Sequence, residues 1–112
     1  MAKLIQEAQS WAEVETCVAE SIERNAPRFV GTAHAKMIEQ VTVHKLIAER
    51  VQRAVNEAKA EKPKDVNRVL KEGLVIHVLR LIDTMLADYP SCKREIYTAQ
   101  SKIESMVRRG NR

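Results

Sequence analysis

An all-α bundle of about four helices is the fold this 112-residue sequence predicts, and three observations carry the expectation. Apolar residues recur at three- and four-residue spacing over four long stretches, the mark of helices with one face turned inward. Prolines stand between those stretches, at Pro27, Pro63 and Pro90, where a helix must end. With 3 Gly, 3 Pro and 4% aromatic residues, the chain lacks the turn signals of a many-stranded sandwich or barrel.

The first helix is expected over 11–25. Ser10-Trp11-Ala12-Glu13 has the form of a capping box, and Trp11, Val14, Cys17, Val18 and Ile22 follow at helical spacing. A short N-terminal helix over 1–9 would bring Leu4, Ile5 and Ala8 onto the same core. The second helix, 33–60, starts after a Thr32 cap and carries Met37, Val41, His44, Ala48, Val51, Val55 and Ala58 in a heptad-like seam. At 1.5 Å per residue it is ~42 Å long, more than the ~35 Å diameter of a compact domain this size. It must bend, or protrude and pair with a second copy.

Asp65 is placed to cap the third helix, 66–88, whose apolar residues cover most of its circumference. Only Gly73, His77, Arg80 and Thr84 form a polar stripe, so this helix is central or lies at a subunit interface. Ser91 is placed to cap the fourth helix, 92–109, which ends at Gly110; residues 110–112 form a basic tail. Residues 1–112 make one domain. Folding takes ~18,400 Å² of extended-chain surface down to ~6,200 Å², enough burial for a core without staples.

Charge is unevenly distributed. The net charge of +4 divides into −4 up to Glu23, +4 over 24–65 and +4 over 66–112. An acidic first segment before a basic remainder suggests an anionic partner for the later helices, or attraction between the two parts of the chain. On the fourth helix, Cys92, Ile96, Ala99, Ile103, Met106 and Val107 share one face. The opposite arc gathers Arg94, Tyr97, Thr98, Ser101, Ser105, Arg108 and Arg109, with Lys93 and Lys102 at its margins. Cations supply affinity for phosphates and hydroxyls fix register, so Arg94, Ser101, Lys102, Arg108 and Arg109 are the candidate nucleic-acid contacts. Part of this pattern is ordinary helix chemistry, because basic residues in a last turn complement the macrodipole. Arg50 and Arg53 are supporting candidates, although Lys45, Glu49, Arg53 and Glu57 alternate in sign at i, i+4 as on any long solvated helix.

Catalytic and metal chemistry find no residues in the right pattern. The sequence has no H-x-x-x-H, no E-x-x-H and no third soft ligand beside Cys17 and Cys92, so no metal, cofactor or small-molecule substrate is expected. His44 interrupts an apolar seam, where a polar residue sets register more often than it binds a ligand. His77 has no nucleophile beside it. Cys17 and Cys92 read as buried small hydrophobes in a reducing, intracellular setting, and no run is long enough to span a membrane.

The expected function is therefore a small, non-enzymatic regulator that binds double-stranded DNA or RNA through its backbone. The expected partner is a second copy, in a homodimer whose interface draws on Met37, Val41, His44, Val51, Val55, Leu79 and Ile82. The design is similar to that of compact viral double-stranded-RNA binders and of plasmid and phage regulators, in architecture and not in motif. The alternative is an adaptor or inhibitor that docks a helix face on a target protein, with the acids of the first helix (Glu13, Glu15, Glu20, Glu23) as important as the basic face.

Overall fold

The computed structural model describes residues 3–109. They form helices α1 (Lys3–Asn25), α2 (Gly31–Lys59), α3 (Val66–His77), α4 (Ile82–Asp88) and α5 (Lys93–Arg108), with single 3-10 turns at Ala26–Arg28, Pro63–Asp65, Leu79–Leu81 and Pro90–Cys92. No strand occurs among the described residues. The all-α bundle stands. The expected third helix is present as α3 and α4, parted by a 3-10 turn.

The helices run up, down, up, down. Gln9 and Gln52 exchange amide hydrogen bonds of 2.7 and 3.0 Å, while Glu15 pairs with His44 and Glu23 with Lys45, so α1 lies antiparallel to α2. Gln40 donates to Glu95 at 2.8 Å and Arg109 reaches back to Glu7, which sets α5 parallel to α2 and antiparallel to α1. The core is assembled from every helix: Ala8 and Trp11 of α1, Val43, Ile47, Val51 and Val55 of α2, Leu70 and Leu74 of α3, Met85 of α4, and Ile96, Ile103 and Met106 of α5.

Several sequence expectations are corrected. Ser10 does not cap a helix. It lies exposed inside α1, because Leu4, Ile5 and Ala8 bury and carry the helix back to Lys3. The buried face of α1 is correspondingly rotated: Ala12 and Ala19 are buried, whereas Val14, Cys17 and Val18 are exposed. Thr32 is not a cap either, since α2 starts at Gly31 behind Val30. Asp65 and Cys92 occupy the cap positions of α3 and α5 without a side-chain bond. Asp65 instead pairs with Arg68, and Ser91 donates to Glu39. The C-terminal position given to Gly110 lies outside the described residues, as does the basic tail. The turn at Leu79–Leu81 has neither Pro nor Gly near it, and the local sequence does not explain it.

The long helix draws the molecule out rather than making a compact shape. The molecule measures 50 × 25 × 17 Å with a radius of gyration of 15.0 Å, where a compact chain of this length would have about 13 Å. α2 sets the long axis. Of the seven residues expected at a dimer interface, Val51, Val55 and Ile82 are fully used by the chain's own core, Val41 is buried, and His44 is held by Glu15. Leu79 packs partly against the core and Met37 is half-buried. The apolar circumference of 66–88 is covered in part: Leu70, Leu74, Val78, Ile82 and Met85 are buried, Val66, Val69, Val75, Leu79, Leu81 and Leu86 are half-buried, and Ile76 is exposed.

Candidate nucleic-acid interface

α5 buries one face and offers the other. Cys92, Ile96, Ile103 and Met106 have no exposed surface and Ala99 almost none, at the spacing read from the sequence. Lys93, Arg94, Tyr97, Thr98, Ser101, Lys102, Glu104, Arg108 and Arg109 are exposed on the outer side. Arg94, Thr98 and Lys102 stand one turn apart in a row, about 6 Å between successive residues.

That row forms one wall of a cleft of about 320 Å³ between α5, α1 and α2, lined by Trp11, Glu15, His44, Arg94, Glu95, Thr98, Ala99 and Lys102. Its floor is a polar network. The Glu15 carboxylate accepts from the Trp11 indole N–H at 2.9 Å and from His44 Nδ1–H. Glu95 accepts from Gln40, and the Lys102 ammonium sits 5.4 Å from the Trp11 ring centroid. A cation over an indole face is held by the ring quadrupole, so Lys102 is aimed and not loose. Glu15 thus sits beneath both: it orients Trp11, which orients Lys102, and it locks His44 into the α1–α2 register. His44 is half-buried in the α2 seam and tied across to α1 by its bond to Glu15. Sequence reasoning missed Glu15. The signal was present in the i, i+4 spacing of Trp11 and Glu15, but His44 lies 29 residues away.

The structure does not unite all the candidate contacts. Arg109 is drawn off to Glu7, which raises the guanidinium's pKa through that hydrogen bond. Arg53 follows His44 by nine residues, two and a half turns, and so points to the opposite side of α2 from the cleft. Arg50 is turned away from the cleft too. Its Nε is buried without a hydrogen-bond partner, 4.0 Å from Glu49. The i, i+4 charge ladder expected on this helix is largely replaced by ties to neighbours: Lys45 pairs with Glu23 of α1 and Glu57 with His77 of α3, leaving Glu49 and Arg53 at 4.0 Å. Attraction between the acidic first segment and the rest is therefore realised, through Glu7, Glu15 and Glu23.

Among the described residues no three His, Cys, Asp or Glu side chains gather as a metal site, and no helix is long and apolar enough to cross a membrane. Both cysteines are free, Cys92 buried and Cys17 exposed, which corrects the expectation that both would be buried. No family model matches the chain, and neither a curated protein nor a solved structure matches it.

Proposed function

We propose that the protein is a non-enzymatic regulator that binds double-stranded nucleic acid through phosphate contacts made by the outer face of α5. The observation that carries this reading is a 16-residue helix, fully packed on one side, whose other side exposes Lys93, Arg94, Lys102 and Arg108 interleaved with Thr98 and Ser101. Cations about two turns apart with short hydroxyl donors between them suit a sugar–phosphate backbone, and the exposed aromatic Tyr97 stands alone, too little for a base-stacking platform. Arg50, Arg53 and Arg109 are left out of the contact set for the reasons given above. The test is a gel shift with a 20-base-pair duplex over a salt series, using wild type and Arg94→Glu/Lys102→Glu/Arg108→Glu. Wild-type binding that weakens with salt and is abolished in the triple variant supports the reading; no shift at low salt refutes it.

A second reading, protein docking, has its own observation. An open groove of about 420 Å³ between α3 and α5 is lined by Lys71, Glu72, Val75, Ile76, Arg80 and Val107, with Ile76 51% exposed. A homodimer through the third helix would have to use this groove and Leu79, because Val51, Val55 and Ile82 are occupied. Stoichiometric recovery of one protein after nuclease treatment, lost in Ile76→Glu, would favour docking over duplex binding.

A further inference from the structure

The tip of the α1–α2 hairpin holds the most exposed large apolar pair of the molecule, Phe29 at 45% and Val30 at 84%. It is a built turn. Phe29 N–H bonds the Ala26 carbonyl at 3.0 Å, and the His34 ring donates to the same oxygen from Nδ1 at 2.9 Å. Pro27 fixes the first step, Phe29 and Val30 are extended, and Gly31 turns the chain into α2 with φ +63°, a conformation that favours glycine. Three exposed cations, Arg24, Arg28 and Lys36, lie within six residues of the pair along the chain. An apolar point on a built turn, with cations on both flanking segments, calls for a partner that is anionic outside and apolar within.

The tip lies beyond the amino-terminal end of α5, where Ser91 donates to Glu39 of α2. From Arg108 to Glu95 is 13 residues of α5, and from Gln40, bonded to Glu95, to Gly31 is 9 residues of α2. At 1.5 Å per residue the two add to about 33 Å along the long axis. One turn of a duplex is about 34–36 Å.

We propose that the tip is a second contact to the double-stranded nucleic acid held by α5: Phe29 and Val30 enter a minor groove and wedge against a base step, while Arg24, Arg28 and Lys36 hold the flanking phosphates. This rests on the function proposed above. Apolar wedges flanked by basic residues partly unstack a step and bend the duplex. A membrane surface suits the tip less well. Two side chains make no amphipathic face.

The experiment compares wild type with Phe29→Ser/Val30→Ser, both exposed positions, with folding checked by circular dichroism. An end-labelled 20-base-pair duplex reports affinity by anisotropy and bending by energy transfer between its ends. The serine variant should bind about tenfold more weakly, the scale of one lost stacking contact, with the same salt slope and no bending. Phe29→Trp should restore affinity and show indole quenching on duplex addition. Arg28→Gln/Lys36→Gln should keep the wedge and flatten the salt slope by about 1.8. Wild-type affinity and bending in the serine variant would overturn the wedge while leaving α5 binding intact. Absence of duplex binding by wild type would overturn both. Sedimentation of wild type, but not the serine variant, with phosphatidylserine vesicles would overturn it in favour of a lipid surface.

Discussion

Single side chains in this molecule are assigned their work by contacts that cross helices. Glu15 is one carboxylate serving Trp11 and His44 at once, and without it a half-buried indole N–H and imidazole would lose their partner. The two cysteines show the same dependence on place. Burial raises the pKa of the Cys92 thiol, with Glu95 and Glu39 adding in that direction. Folding therefore favours the neutral thiol, and this contribution is intact below the ordinary thiol value of about 8.5 and fades as pH rises beyond it. In native protein a disulfide-exchange reagent should titrate Cys17 rapidly and Cys92 only with unfolding. Equal native rates would contradict the packing of α5. Spacing located Cys92 correctly, since it belongs to the regular stripe with Ile96, Ala99, Ile103 and Met106. It misplaced Cys17, because the neighbouring alanines, Ala12 and Ala19, win the buried face of α1 where that helix approaches α2 closely.

Elements were legible where their apolar period is long and strict. The seam of α2 through Val41, Val51, Val55 and Ala58 is buried as its alternation required, and the prolines end the segments they were expected to end. Helix starts were less legible. Ser10 is a good local cap, but burial of Leu4, Ile5 and Ala8 outweighs the roughly 1 kcal/mol that a cap contributes. Gly73 was legible only as part of a polar stripe. In the fold it is the point where α3 crosses α2: a Cβ there would stand 2.9 Å from Ala54 Cβ and 3.1 Å from Ala54 Cα. Neither contact is the far end of a flexible side chain, so the helices would have to part. Gly73→Ala should lower stability by about 1–3 kcal/mol in urea unfolding, despite alanine's better helix propensity. A variant as stable as wild type would mean that the α2–α3 crossing is looser than described.

At the scale of the whole molecule, length and charge decide the account. The bundle is elongated, 50 Å long, and leaves Val14, Phe29, Val30, Ile38 and Ile76 exposed outside its core. Glu7, Glu15 and Glu23 of α1 are engaged in internal pairs, and the exposed cations of α5 distinguish its outer side. Which cations those are was only half legible. The α5 arc is visible from a helical wheel, but the diversion of Arg109 to Glu7 spans 102 residues, and the orientation of Arg50 and Arg53 depends on which side of α2 receives α5. The measurement that tests the central claim most directly is the dependence of duplex affinity on salt. Lys93, Arg94, Lys102 and Arg108 contacting four phosphates contribute about −3.6 to the slope of log K against log salt, and Arg94→Gln/Lys102→Gln should flatten it by about 1.8 with the fold unchanged. An unchanged slope in that variant, or affinity indifferent to salt in wild type, would contradict the assignment of α5 as the binding face.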